Sequence, residues 1–125
     1  MRLLLDTHVL LWVMADDPAL SPAARATISR ADMVYASAVS LWEISIKAGL
    51  GKLKIDQDRL VEQLLTAGFE PLPVTWEHAA AVRHLPDLHR DPFDRLLVAQ
   101  AMSEPLRLLT TDKILADYSE LVMLV

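Results

Sequence analysis

At 125 residues the chain suits a single domain, residues 1–125, that buries about two thirds of the surface its unfolded form exposes. Hydrophobic residues make up 53% of it, but the longest unbroken apolar run, Val9 to Ala15, is far short of the ~20 residues of a membrane-crossing helix, so no membrane partner is expected. The lack of cysteine excludes disulfides and thiolate chemistry, and a net charge of −5 argues against a grip on nucleic acid made mainly through a basic surface.

In chain order, Arg2 to Leu5 reads as a short strand ending at Asp6, and Thr7 to Ala15 as a buried helix. Asp6 also breaks the N-terminal apolar stretch too early for a secretory signal, which predicts a cytoplasmic chain. A helix over Ser21 to Arg30 is opened by Ser21 as N-cap and Pro22 at the first helical position. Met33 to Ala36 is a second strand. Val39 to Ala48 is a helix that Gly49 and Gly51 help to stop, and Asp58 to Ala67 is another, closed by Gly68. Pro71 to Val74 is a short extended segment, and a helix runs from Thr75 to about Leu85. After a loop over Pro86 to Arg90 come a helix from Phe93 to Met102, a strand from Arg107 to Leu109, a short helix from Lys113 to Tyr118 and a last strand from Leu121 to Val125. Strands alternating with helices predict an α/β domain with a mainly parallel sheet covered on both faces. The all-apolar run Val122 to Val125 reads as a strand covered on both sides. Ligands of such sheets bind beyond the carboxyl ends of the strands, at a switch in strand order.

Acids stand where that rule directs attention. Asp6 follows the first strand and Asp112 the fourth, while Glu43 and Asp94 lie in the first turns of helices. Carboxylates gathered in a partly buried cleft repel one another unless a cation sits among them, and Mg²⁺ or Mn²⁺ is the natural occupant of an all-oxygen site. Such ions support phosphodiester hydrolysis. Each acid also has a structural role open to it. Ser40-Leu41-Trp42-Glu43 matches a capping box, Asp91-Pro92-Phe93-Asp94 matches an Asp N-cap with proline at N1, and Asp6 or Asp112 would cap the helix that follows it.

In several segments the chain resembles the PIN-domain ribonucleases, and within them the VapC-type toxins of bacterial toxin–antitoxin modules. The resemblance rests on Leu4-Leu5-Asp6-Thr7-His8 with Leu11-Trp12, on Ser37-Ala38-Val39-Ser40-Leu41-Trp42-Glu43-Ile44 with Lys47, and on Gly51-Lys52-Leu53. It continues in His89-Arg90-Asp91-Pro92-Phe93-Asp94-Arg95 with Leu97, Ala99 and Gln100, and closes on Leu109-Thr110-Thr111-Asp112. It implies a Rossmann-like, three-layer fold with about five parallel strands flanked by helices, and Mg²⁺- or Mn²⁺-dependent endonucleolytic cleavage of single-stranded RNA, restrained by a cognate antitoxin. The family's acidic quartet falls on Asp6, Glu43, Asp94 and Asp112, with Asp6 and Asp94 as the direct metal ligands and Glu43 and Asp112 acting directly or through water. A homodimer and a toxin–antitoxin hetero-oligomer are the assemblies implied.

Around the quartet, Thr7, Thr111 and Asp91 are candidate supports for the ligands, although helix capping explains each as well. Lys47, four residues after Glu43, is either its surface pair or a contact for the RNA backbone. Lys52, Lys54, Arg90 and Arg95 are candidates for a positive rim that steers phosphate, the alternative being a solvated face. His84 and His89 are badly spaced for a metal pair, His8 and His78 have no neighbour, and none of the four reads as a ligand. Trp12, Trp42 and Ile46 belong to types more often found in a core than at an interface, but the apolar content, with the family resemblance, predicts an exposed helical groove there that receives an antitoxin segment or a second subunit. Two competing readings fit poorly: a phosphoacceptor receiver needs a pair of acids after the first strand, and a haloacid-dehalogenase-like phosphatase needs an aspartate where His8 stands. The remaining alternative is a non-catalytic PIN-like RNA-binding or scaffold protein.

Overall fold

The computed structural model describes residues 1–125. Five strands form one sheet: β1 (Arg2–Leu5), β2 (Met33–Ser37), β3 (Glu70–Leu72), β4 (Arg107–Thr110) and β5 (Val122–Leu124). Every pairing is parallel and the order is β3-β2-β1-β4-β5. The chain therefore steps outward from β1 in one direction, then returns to place β4 on its other side. The switch in strand order lies between β1 and β4, whose carboxyl ends carry Asp6 and, two residues beyond the strand, Asp112.

The helices are α1 (Thr7–Ala15), α2 (Pro22–Arg30), α3 (Ala38–Gly49), α4 (Gln57–Thr66), α5 (Trp76–Ala81), α6 (Pro92–Ser103) and α7 (Lys113–Ala116), with a 3₁₀ turn at Val82–His84 after α5. They cover both faces of the sheet, and the strands' alternation of side chains divides the core accordingly. Leu3, Leu5 and Leu109 pack with Val9, Leu10, Ala24, Leu60 and Leu64 of α1, α2 and α4. Leu4 and Leu108 face the other way, onto Leu97, Val98 and Ala101 of α6 and Leu115 of α7. Local signals place the helix ends: the Ser21 side chain accepts the Ala24 N–H at the start of α2, and Gly68 takes a φ of 92° just past α4.

Three expectations need correction. The run Val122 to Val125 is not doubly covered: β5 is an edge strand paired only to β4, and Leu124 is 47% exposed. Ser40 does not open α3. Ser37 is its N-cap, accepting from the Val39 N–H, so Glu43 lies in the second turn and belongs to no capping box. The helix expected from Thr75 to Leu85 tightens into the 3₁₀ turn after Ala81.

Candidate active site

The site is built from the switch point outward. Asp6 occupies the N-cap position of α1, but its side chain makes no capping hydrogen bond. It is 4% exposed, and its Oδ2 accepts from Thr110 Oγ1 at 2.5 Å. The β1–β4 register explains this contact. Leu4 pairs with Leu108 and Leu5 with Leu109, so the next step of the ladder sets Asp6 across from Thr110, where the Asp6 N–H still donates to Leu109 O. Burial raises the Asp6 pKa, and the Thr110 hydrogen bond offsets only part of that.

Glu43 is also 4% exposed. Its Oε2 accepts from Lys47 Nζ at 2.8 Å, one helical turn on, while its Oε1 is buried with no partner at all. Lys47 is held protonated above the ordinary lysine range, first by this hydrogen bond and then by the charges of Glu43, Asp91 and Asp94. Thr7, expected beside a ligand, donates instead to Ser40 Oγ at 2.9 Å, a buried tie between α1 and α3.

Asp94 stands in the first turn of α6, and its pKa is pushed up to about 7. Burial is the largest cause, followed by the negative charges of Asp6 and Asp91; the nearby His89 opposes the rise, and Glu43 adds to it. Asp94 thus senses Asp6 and Glu43 across the cleft. Asp91 has the capping role: its Oδ1 accepts from the N–H groups of Phe93 and Asp94. Asp112 combines both roles, because its Oδ1 caps α7 through the Ile114 N–H while its Oδ2 lies 3.0 Å from His89 Nε2. The same nitrogen is 3.4 Å from Asp94 Oδ2, so His89, Asp94 and Asp112 draw together.

Two residues of this centre escaped the sequence reading. Thr110 was legible in principle, as the one polar side chain at the end of an apolar strand across from Asp6. His89 was weighed only against histidines near it in sequence, whereas its partner is 23 residues away.

The remaining candidates divide. Thr111, Lys52 and Arg90 are exposed. Arg95 faces inward rather than forming part of a rim: its Nη1 donates to Pro86 O at 3.0 Å and to Tyr118 Oη at 3.1 Å, clamping the loop before α6. Trp42 is 59% exposed and meets Phe93 edge to face, with ring centroids 4.9 Å apart. Trp12 lines a groove of about 620 Å³ with His8, Leu11, Leu53, Ile55 and Leu60. No helix is long and apolar enough to cross a membrane.

Hard divalent cations fit this donor set. Its donors are carboxylate oxygens, one of them buried and unpartnered, and burial together with the charges of Asp6, Asp91 and Glu43 pushes the Asp94 pKa upward, a penalty that a bound cation removes.

Comparison with known proteins bears on the same residues. The PIN domain family profile matches residues 3–121. Ribonuclease VapC22 of Mycobacterium tuberculosis is 31% identical over 121 residues, covering 92% of this chain and 90% of that protein. Among solved structures, VapBC2 from Rickettsia felis, bound to a DNA fragment from its promoter, superposes with a TM-score of 0.71 at 16% identity, covering 100% of this chain and 98% of that one. A toxin–antitoxin complex from Klebsiella pneumoniae superposes with a TM-score of 0.66 at 15% identity, covering 96% and 94%. At those identities the two superpositions speak for the fold, while the profile and the mycobacterial relative speak for descent. The chain belongs to the PIN domain family of nucleases, in the branch of the VapC ribonucleases.

Proposed function

We propose that the chain, acting as one PIN domain over its whole length, is the toxin of a toxin–antitoxin pair: an endoribonuclease whose acids Asp6, Glu43, Asp94 and Asp112 hold Mg²⁺ or Mn²⁺. The observation that carries this reading is the orphaned Glu43 Oε1, buried beside a cleft where burial and the charges of neighbouring acids, Asp6 and Glu43 among them, raise the pKa of Asp94. A buried acceptor without a partner costs about 1–3 kcal/mol, which a binding site offsets when its ligand arrives.

Held by these four acids, a divalent cation would supply polarisation of the scissile phosphodiester and a lowered pKa for the attacking water. The protein's own contribution is to fix the oxygens beforehand. Thr110 sets the orientation of Asp6, Lys47 holds Glu43 Oε2 and leaves Oε1 for the cleft, and the α7 cap holds Asp112 Oδ1 and leaves Oδ2 for the cleft. Lys47 also supplies a positive charge beside the acids, suited to a phosphate of the RNA backbone. Lys52 and Arg90, both exposed, are suited to contacts farther along the strand.

The antitoxin has a matching surface. The groove beside Trp12 is mostly apolar, with Lys54 and Asp17 at its margin, and suits an apolar peptide segment. Trp42 and Ile46 on α3 and Leu50 at its C-cap are exposed and suit a second copy in a homodimer.

The test is cleavage of a panel of structured and single-stranded RNAs by antitoxin-free protein, with Mg²⁺, Mn²⁺ or EDTA, alongside Asp94→Asn. Cutting that needs the cation and is lost in the variant is the expected result. Cutting that survives EDTA, or full activity in Asp94→Asn, would overturn the reading.

A further inference from the structure

We propose that His89 is a positioning residue of this site: a neutral imidazole protonated on Nε2, which donates to Asp112, holds it beside Asp94, and is not itself a ligand of the cation. The inference rests on the acidic cluster being a cation site and adds a residue to it. His89, Asp94 and Asp112 are close enough to form a three-ligand group, so His89 could be counted as a third donor to the ion. Its hydrogen bonds argue otherwise. Nδ1 accepts the backbone N–H of Asp91 at 3.0 Å, so in the neutral ring the proton sits on Nε2. That Nε2–H points at Asp112 Oδ2, 3.0 Å away, with Asp94 Oδ2 at 3.4 Å. A protonated ring nitrogen has no lone pair for a metal. The ring instead occupies the space between two carboxylates that would otherwise repel each other.

The ring is anchored from behind. The His89 N–H donates to Tyr118 Oη at 2.8 Å, and the same oxygen accepts from Arg95 Nη1 at 3.1 Å, while Arg95 Nη1 also holds Pro86 O. Tyr118 is 8% exposed and packs in the core beneath the sheet's α6 side. Through this anchor the loop before α6 is joined to the segment just past α7 and to the core. The capping acid Asp91 takes part twice, since its carboxylate starts α6 and its N–H selects the His89 tautomer.

Two measurements test the proposal. Long-range ¹H–¹⁵N spectra of the metal-free wild-type protein should show His89 with its proton on Nε2; a proton on Nδ1 would overturn it, whether or not any cation binds. Mn²⁺ binding, followed by electron paramagnetic resonance, should weaken about tenfold or more in His89→Ala, in line with the loss of a partner that orients a ligand. It should recover to within about threefold in His89→Gln, whose amide N–H reaches the place of Nε2. Equal weakening in both variants, tracking a common loss of thermal stability, would mean a merely structural role and overturn the proposal. Hyperfine coupling of Mn²⁺ to ¹⁵N-labelled histidine that disappears in His89→Ala would make the ring a ligand and overturn it too. If wild-type protein takes up no Mn²⁺, the cation reading falls, and the tautomer alone decides the claim for His89.

Discussion

Two buried polar clusters flank α6, and they are satisfied in opposite ways. Near its C-terminal end, His78 is 1% exposed, accepts on Nδ1 from the Thr75 N–H at 3.0 Å and faces Gln100 Nε2 at 3.2 Å, and donates from Nε2 to Glu104 at 2.6 Å. Gln100, fully buried, accepts from Ser37 at 2.5 Å and donates to Pro73 O at 3.2 Å. Every polar atom there has a partner, and the network joins α5, α6 and the N-cap of α3. At the other end of α6 Glu43 Oε1 is left bare, and burial with the neighbouring acids raises the Asp94 pKa to about 7. The first arrangement is what structural polar burial requires; the second destabilises the empty fold and is reasonable only where a ligand completes it.

Breaking the two clusters should therefore have separable consequences. The largest effect belongs to the acids: Glu43→Gln should lower RNA cleavage by about 10³-fold or more, since acids that share a cation act as a unit. Circular dichroism of the same preparation should show the fold retained. A variant within tenfold of wild type would detach Glu43 from the chemistry. Gln100→Leu should do the reverse. It strands Pro73 O and the Ser37 hydroxyl proton together, costing about 3 kcal/mol in urea unfolding, while the cleavage rate per folded molecule stays within about threefold of wild type. The smallest effect is expected for Tyr118→Phe, which removes the oxygen that receives the N–H of His89 and Arg95 Nη1. A loss of about 1 kcal/mol with a few-fold lower cleavage would show the anchor extending from core to site.

The comparison also shows which features sequence reveals. Capping residues and hydrophobic period place most elements within a residue or two, because those signals act over one helical turn: Ser21, Asp91 and Gly68 all mark the ends expected of them. Positions judged by local pattern alone misled in both directions. Ser40 looks like a cap and is a buried partner of Thr7. Arg95 looks like a surface charge, yet its guanidinium holds the loop carbonyl of Pro86. The run at Val122 to Val125 cannot declare itself an edge, since strand order is a property of the whole chain. The structure brings Asp6 and Glu43 within electrostatic reach of Asp94 and links Asp112 to Asp94 through His89. Thr110 and His89 become visible only when strand register and the loop before α6 are known, because each acts on a residue distant in sequence.

On the proposed function the acidic cluster is held in tension for a cation, and the most direct test is thermal stability against pH for metal-free wild type and Asp94→Asn. Asp94 has its pKa raised from 3.8 to about 7 on folding. The folded state therefore binds the proton more tightly, and the stability this contributes is present below pH 4 and lost as pH rises through 7. Asparagine cannot ionise, so the variant should match wild type near pH 4, gain on it steadily to pH 7 and keep a constant advantage above pH 8. Saturating Mg²⁺ should close that gap by stabilising wild type selectively. A variant no more stable than wild type at pH 8, or a gap that Mg²⁺ leaves untouched, would contradict the claim.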